Sequence, residues 1–172
     1  PTRAKGRLNG AGRERRTSPW AAQVVLTPKP DGSWSFCVDY SALGKVTGPD
    51  SYPMPKIESI LNSTQGANWF SAHDLKSGFW QCAMATNDGS DLKTGFCTPD
   101  GPFAFRGMPF GRRNSGATML RMVDESLQGL QWESVAADSE DCAVSTAGRC
   151  DDQREHLRAA HSRLRRTWSD VR

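Results

Sequence analysis

Hydrophobic and polar residues alternate in the first patterned part of the chain. An apolar run, residues 23–27, precedes the turn sequence at residues 28–32. After the turn, four large apolar side chains recur at every second position: Trp34, Phe36, Val38 and Tyr40. A period of two is typical of a strand with one buried face. This part of the chain therefore predicts a β-hairpin with one buried face.

Shorter apolar segments farther along the chain also predict strands. They are residues 68–75, which contain Asp74 near their end, residues 94–98 and 102–106 on either side of a Pro-Asp-Gly turn, and residues 135–137 and 142–144. The last two flank Asp138-Ser139-Glu140-Asp141, which has the composition of a tight connection. Residues 79–85 are expected to form another extended piece after the break at Lys76-Ser77-Gly78.

Three segments show the helical period of 3.6 residues. The first is short and amphipathic, with Ile57, Ile60 and Leu61. The second is expected to be capped by Asn114 or Ser115, and its apolar positions are Met119, Leu120, Val123 and Leu127. The third is expected to open with a capping box at Asp152-x-x-Glu155, and its apolar positions are Leu157, Ala160, Leu164 and Trp168. Paired strands mixed with separated helices predict an α+β fold.

Charge is distributed unevenly along the 172 residues. Residues 1–16 carry a net charge of +5, residues 153–172 carry +4 and the stretch between them carries −6, although the whole chain has only +3. The Gly-rich residues 1–17 are expected to be a disordered basic lead-in, and residues 18–172 are expected to form the domain. No phosphate-binding glycine loop occurs.

Hydropathy and cysteine spacing exclude several classes of protein. The mean hydropathy is −0.61 and no apolar run approaches the length of a membrane span. No signal peptide is recognised, so an intracellular protein of the cytoplasm or nucleus is expected, without membrane partners. The five cysteines form no C-x-x-C pair, and free thiols are expected rather than a zinc or disulfide framework.

Three carboxylates are the candidate metal-binding groups. Asp74 ends a predicted strand, and Glu140 and Asp141 lie between two others. If these strands are neighbours, the carboxylates meet at one sheet edge, where Mg²⁺ would neutralise them. The alternative from the residues alone is that Asp74 caps a turn and that residues 138–141 form a solvated loop.

Six ordered segments resemble the reverse transcriptases of gypsy-type LTR retrotransposons. The sequence from Ser18 to Thr47 resembles the fingers region, and YPMPKIESIL resembles the linking helix. NWFSAHDLKSGFWQ resembles the palm motif LDLRSGYHQ, and DLKTGFCTPDGPFAFRGMPFGRRNSGAT resembles the KTAF…MPFGLTNAPATF block. LQWESVAADSEDCAVS takes the place of the Y-x-D-D hairpin, and EHLRAAHSRLRRTW matches the helix after it.

The resemblance implies a right-hand polymerase with fingers and an antiparallel palm sheet backed by helices, and with the thumb absent. It implies an RNA-directed DNA polymerase that uses an RNA template, a DNA primer and a dNTP. Asp74, Glu140 and Asp141 would be the catalytic, metal-binding residues for two Mg²⁺ ions, with Mn²⁺ as the alternative. Lys29, Phe79, Phe110 and Gly111 would bind the nucleotide, and the Phe79 ring would exclude a 2′-hydroxyl.

Several positions depart from the family pattern. The first aspartate of the hairpin pair is Glu140, the tyrosine before it is Asp138, and a fingers arginine is Ser35. These departures predict weakened or lost catalysis. Two alternatives therefore stay open: a non-catalytic nucleic-acid-binding remnant, and a pseudogene product without function. The sequence does not determine the oligomeric state.

Overall fold

The computed structural model describes residues 12–168, which divide into two compact units. The first unit contains residues 12–49 and 79–115, and the second contains residues 50–78 and 116–168. The strands are β1 (Arg13–Arg15), β2 (Gln23–Pro28), β3 (Trp34–Asp39), β4 (Trp69–Asp74), β5 (Phe96–Thr98), β6 (Gly101–Phe105), β7 (Val135–Asp138) and β8 (Asp141–Thr146). The helices are α1 (Ser41–Val46), α2 (Ile57–Ser63), α3 (Gly78–Gln81), α4 (Ser115–Ser126) and α5 (Cys150–Thr167), with a 3₁₀ turn at Leu92–Thr94.

The first unit is built from two antiparallel sheets. β2 and β3 form the predicted hairpin, and β1, β6 and β5 form a sheet in that order. Phe96 lies at the centre of the core, with its ring 4.9 Å from that of Phe105 and 5.5 Å from that of Phe36. The Tyr40 hydroxyl donates a hydrogen bond of 2.9 Å to the Thr94 carbonyl. Burial and this hydrogen bond attach the end of β3 to the 3₁₀ turn.

The hairpin differs from its prediction in burial. Among its alternating residues only Tyr40, just after β3, is buried, whereas the Trp34 side chain is 59% exposed. The alternation correctly predicts the strand, but it does not show how much of that face the rest of the unit covers.

The basic lead-in is partly ordered. Residues 1–11 lie outside the described residues, so the predicted disorder of those residues stays a prediction. Arg13–Arg15, however, forms β1 and pairs with Phe103–Phe105 of β6. The Arg13 guanidinium lies 4.8 Å from the centre of the Phe103 ring, and Arg16 forms an ion pair with the buried Asp91. Backbone pairing and these contacts explain why a segment without apolar alternation is a strand.

The second unit is a three-stranded antiparallel sheet with helices. The strand order is β4-β8-β7, and α5 packs against β8 and β4. The predicted apolar positions of α4, Met119, Leu120, Val123 and Leu127, are all buried, as are Ala160 and Leu164 of α5. The α+β class and both long helices are therefore confirmed.

Alternate residues of the sheet face α5. The Gln153 amide donates to the Ser71 hydroxyl at 3.1 Å and to the Val144 carbonyl at 3.0 Å, and His161 Nε2 lies 3.3 Å from His73 Nδ1. Ser71 and His73 therefore lie on the helix-covered face of β4. By alternation, Phe70, Ala72 and Asp74 lie on the other face, and all three are exposed.

Two local expectations were wrong, and one helix was not predicted. Residues 79–81 belong to the short helix α3 and not to an extended strand. The third helix has its N-cap at Arg149, three residues before the expected Asp152, and the Asp152 carboxylate accepts a hydrogen bond of 2.6 Å from the Arg149 backbone. α1 was not expected at all, since its Gly44 lowers helix propensity.

Two findings concern membrane spans and thiol chemistry. None of the helices within residues 12–168 is long and apolar enough to cross a bilayer. All five cysteines are free: Cys37, Cys97 and Cys150 are exposed, and Cys82 and Cys142 are buried. The expectation of free thiols is therefore met.

The histidine pair predicts a pH dependence of stability. Burial, the neighbouring His73 and the charge of Arg165 together lower the pKa of His161 from its ordinary 6.5. The unfolded chain then binds this proton more readily than the native chain, so the free energy of unfolding should fall as pH drops below about 6.5. Urea unfolding between pH 7 and pH 5 measures this slope. His161→Gln should reduce it, and parallel curves for the two proteins would contradict the prediction.

Candidate active site

Three aspartates lie in one row across the second unit's sheet. The register pairs Asp74 of β4 with Asp141 of β8, and Asp141 with Asp138 of β7. Residues directly opposite each other in antiparallel strands have Cβ atoms about 4.5–5.5 Å apart and point to the same face. The row therefore lies on the face opposite α5, and all three residues are exposed.

The carboxylates of this row have no basic partner in the described part of the chain. No lysine, arginine or histidine between residues 12 and 168 forms an ion pair with Asp74, Asp138 or Asp141. Like charges directly opposite each other are destabilising in a sheet. The row thus concentrates negative charge that no ion pair within residues 12–168 offsets. A pair of carboxylates in this situation attracts cations.

The buried thiol behind the row reports the proximity of two of these charges. Cys142 follows Asp141 and pairs with His73, on the helix-covered face. Burial, followed by the charges of Asp141 and then Asp74, raises the pKa of Cys142 to about 12. Both carboxylates are therefore close enough to act on this sulfur. The thiol remains protonated at neutral pH and is not a nucleophile.

A tight turn presents Glu140 beside the row. Asp138 and Asp141 are paired, so Ser139 and Glu140 are the two central residues of the β7–β8 turn. Ser139 has φ +54°, whereas Glu140 has no positive φ. A positive φ at the first central position alone is the signature of a type II′ turn, which prefers glycine there. Ser139 therefore carries backbone strain.

The side chain of Glu140 approaches Gly78, the buried first residue of α3. A Cβ built on Gly78 would lie 3.2 Å from Glu140 Oε1 and 3.3 Å from Glu140 Cγ. The Glu140 carbonyl also accepts a hydrogen bond of 2.8 Å from the Leu75 backbone. Both contacts hold Glu140 against the segment that follows Asp74.

The predicted metal-binding residues are thus brought together only in part. Asp74 and Asp141 are opposite each other, and Glu140 is anchored at Gly78. Over residues 12–168, no three His, Cys, Asp or Glu side chains are already gathered as a metal-binding cluster. The donors are carboxylate oxygens, which suit a hard divalent ion such as Mg²⁺. The donor chemistry therefore fits Mg²⁺.

The predicted nucleotide-binding residues all lie in the first unit. The rings of Phe79 and Phe110 are 4.7 Å apart, and Trp80 contacts Phe110 at 5.7 Å. Gly107 lets the backbone of Trp80 come close, because a Cβ on residue 107 would collide with the Trp80 carbonyl. Gly111, next to Phe110, has φ +85°, which favours glycine. The structure therefore brings Phe79, Trp80 and Phe110 into one aromatic cluster, and Gly111 follows Phe110 directly in the chain.

Lys29 lies at the tip of the β2–β3 hairpin. Its backbone N–H donates to the Ser33 carbonyl at 2.7 Å, and its carbonyl accepts from Gly32 at 3.0 Å. Asp31 accepts a further bond of 2.9 Å from the Ser33 backbone. These bonds fix the turn, so the exposed lysine side chain projects from a defined position.

Sequence comparison assigns the family. The family model described as reverse transcriptase (RNA-dependent DNA polymerase) matches residues 27–169. The chain belongs to the reverse transcriptase family. The resemblance seen in the sequence motifs is thereby confirmed, and the match includes the whole carboxylate row and the aromatic cluster.

Relatives of this reverse transcriptase domain include a transposon Pol polyprotein and an RNA-directed DNA polymerase homolog. It is 41% identical over 107 residues to a retrovirus-related Pol polyprotein from transposon opus of Drosophila melanogaster, covering 61% of this chain and 10% of that protein. It is 40% identical over 95 residues to an RNA-directed DNA polymerase homolog of Oenothera berteroana, covering 55% of this chain and 66% of that protein. The chain thus spans less than two thirds of these relatives.

The fold of the domain is that of solved reverse transcriptases. A foamy viral protease-reverse transcriptase in complex with an RNA/DNA hybrid matches with a TM-score of 0.84 at 21% identity, covering 97% of this chain and 23% of that chain. The same kind of enzyme in complex with double-stranded DNA matches with a TM-score of 0.81 at 22% identity, covering 94% and 28%. The predicted fingers-and-palm fold is confirmed.

The strained turn gives a prediction for this site. Ser139→Gly should relieve a backbone cost of about 1–3 kcal/mol, partly offset by the roughly 0.5–1 kcal/mol that glycine loses on folding. We expect a net gain of about 1 kcal/mol, which raises the Tm by about 2–4 °C. Thermal unfolding measures it, with Ser139→Ala as the matched control that keeps the Cβ. Equal Tm values for the two variants would contradict the strain.

Proposed function

We propose that this reverse transcriptase domain catalyses RNA-directed DNA synthesis, by transfer of a nucleotide from a dNTP to a primer 3′-hydroxyl. The observation that supports it is the Asp74–Asp141 pair, two carboxylates opposite each other on an exposed sheet face. RNA template and DNA primer are the proposed partners. The relatives' names and the nucleic acids bound by the solved enzymes support this choice.

Asp74, Glu140 and Asp141 are the proposed ligands of two Mg²⁺ ions, with Mn²⁺ as the alternative. When bound, such ions supply charge neutralisation and lower the pKa of an attacking hydroxyl. The chain itself contributes the rigid β4–β8 pairing, which holds Asp74 and Asp141 in register. Because catalysis of this kind is mainly positioning, that pairing is the larger part of what the protein supplies.

Phe79, Phe110, Gly111 and Lys29 are the proposed nucleotide-binding residues. The Phe79 ring packs on Phe110 and is only half-buried, so it presents an aromatic surface for a sugar. A ring held by its aromatic neighbours cannot easily move aside for an additional hydroxyl. The exposed Lys29 ammonium at the hairpin tip would pair with the triphosphate.

Asp138 and Glu140 are expected to lower the polymerase activity. Asp138 adds a third negative charge to the row, next to the proposed path of the primer, and Glu140 is one methylene longer than aspartate. A ligand misplaced by about 1 Å can cost about a hundredfold in rate. Slow synthesis is therefore the expected activity.

A non-catalytic nucleic-acid-binding protein is the second candidate function. The observation in its favour is that α5 exposes several arginines to solvent, namely Arg154, Arg158, Arg165 and Arg166. Lys and Arg side chains bind phosphates with strongly salt-dependent affinity.

Primer extension on an RNA template with Mg²⁺ or Mn²⁺ tests the proposed activity. We expect slow extension, and Asp74→Asn or Asp141→Asn should reduce it by about a hundredfold or more, because each removes half of a paired ligand set. Asp151→Asn, an exposed aspartate at the start of α5, is the matched control and should retain the rate.

The proposal fails if the wild-type domain and the restored variant Glu140→Asp/Ser35→Arg both leave the primer unextended. In that case fluorescence anisotropy with labelled template–primer distinguishes the alternatives. Salt-dependent binding that weakens in Arg158→Gln/Arg165→Gln supports the non-catalytic protein. A broad, uncooperative thermal transition supports a product without function.

The aromatic cluster predicts selection against ribonucleotides. Phe79→Ala should raise the ratio of rNTP to dNTP incorporation by about tenfold or more, since one lost steric contact is worth about 1–3 kcal/mol. Single-nucleotide extension with each substrate measures the ratio. Phe103→Ala removes a ring from the same unit without touching Phe79 and is the control. An unchanged ratio in Phe79→Ala would remove Phe79 from the pocket.

A further inference from the structure

The Glu140 side chain lies next to Gly78, although the two residues are 62 positions apart in sequence. Gly78 is buried at the start of α3, and Glu140 is the second central residue of the β7–β8 turn. The position that a Cβ on residue 78 would occupy is 3.2 Å from Glu140 Oε1 and 3.3 Å from Glu140 Cγ. Both distances are tighter than ordinary van der Waals contact. The Glu140 side chain therefore uses space that exists because residue 78 has no side chain.

The backbone around this contact has little freedom to move. The Leu75 N–H donates to the Glu140 carbonyl at 2.8 Å, and the Gly78 N–H donates to the Leu75 carbonyl at 2.9 Å. The strand pairs Asp74–Asp141 and Asp138–Asp141 hold both ends of the turn. Since the backbone on both sides is fixed, side-chain torsions are what remains to set the position of the Glu140 carboxylate.

We propose that Gly78 is a positioning residue for the candidate metal site, because its missing Cβ determines where the Glu140 carboxylate lies. Glu140 has one methylene more than aspartate, and the space over Gly78 accommodates that length. A side chain at position 78 would displace the carboxylate relative to Asp74 and Asp141. The inference rests on the proposed function and deepens it, since it states what holds the third carboxylate.

Residue 78 has a second neighbour, Met119, whose effect must be distinguished from that of Glu140. The same Cβ would lie 2.5 Å from Met119 Cε, and Met119 is fully buried on α4. Gly78→Ala alone would therefore disturb core packing as well as Glu140. Met119→Leu lacks the Cε atom and removes this collision, so it provides a background in which a Cβ at residue 78 meets mainly Glu140.

The central comparison uses four proteins: Met119→Leu alone, and Met119→Leu combined with Gly78→Ala, with Glu140→Asp, or with both. The wild-type protein, Glu140→Ala and Asp74→Asn are measured beside them. Mn²⁺ binding without nucleic acid, followed by the electron paramagnetic resonance of the free ion, is the readout. We expect Gly78→Ala to weaken Mn²⁺ binding about tenfold when residue 140 is Glu, from a displacement below 1 Å. In the Glu140→Asp background, where the Oε1 atom is absent, we expect a loss of about twofold or less. Urea unfolding of each variant verifies that it is folded.

Three results would overturn the proposal. The first is that Gly78→Ala lowers the Mn²⁺ affinity equally with Glu at residue 140 and in the Glu140→Asp background. The effect of Gly78→Ala would then not depend on the Glu140 side chain. The second is unchanged affinity in Gly78→Ala accompanied by lower stability, which makes Gly78 a packing residue only. The third is wild-type affinity in Glu140→Ala, which makes the position of that carboxylate irrelevant to the ion.

Failure of the proposed function has a different pattern. If the wild-type protein and Asp74→Asn bind Mn²⁺ equally weakly, no metal site exists at the row, and the positioning role is overturned together with it. If Asp74→Asn abolishes binding that the wild type shows, and Gly78→Ala does not alter it, only the positioning role is overturned.

Discussion

The pairing of β4 with β8 is the constraint on which the second unit depends. Side chains alternate along a strand, so a shift of one residue would move Asp74 to the face that α5 covers. The register is held from that covered face: Gln153 bonds to Ser71 and to the Val144 carbonyl, and His161 contacts His73. The interactions that place the carboxylates are therefore on the side of the sheet that substrate would not touch.

The sequence predicts the fold well where burial and period agree. The apolar positions of α4 were identified because its buried stripe is continuous, and β7 and β8 were identified because Asp138–Asp141 has turn composition. β1 was missed because Arg-Glu-Arg has no apolar period, and its order depends on distant partners, Phe103 and Asp91. Such pairings contribute nothing to a local pattern. α3 was missed because glycine at its first position favours a break.

The sequence predicts the site less completely than the fold. It singled out Asp74, Glu140 and Asp141, but a pairing of two aspartates directly opposite each other runs against the cross-strand preferences that a sequence argument uses. The strain at Ser139 has no signal in the sequence, since serine does not mark a positive φ. The contact of Gly78 with Glu140 is equally invisible, because it depends on the conformation of one side chain.

One departure from the family pattern has a structural partner in this chain. Where the family has LTNAPATF, the divergent Arg113 donates from its guanidinium to the Gly44 carbonyl at 3.1 Å. Asn114, which matches the family's asparagine, donates from its amide to the Gly48 carbonyl at 2.8 Å. Both bonds attach this segment to α1 and the loop after it. Both residues therefore stabilise the first unit, and the divergence at Arg113 is compatible with an intact fold.

A cation that bound the aspartate row would become part of the folding equilibrium. Charges that repel in the native sheet are separated in the unfolded chain, so an ion that binds the row binds the folded state preferentially. Occupancy then adds RT ln(1 + [L]/Kd) to the free energy of unfolding, about 1.4 kcal/mol when the ion is present at ten times its Kd. Asp74 and Asp141, which are also proposed to serve the chemistry, would then couple the melting temperature of this domain to the ionic composition of its surroundings.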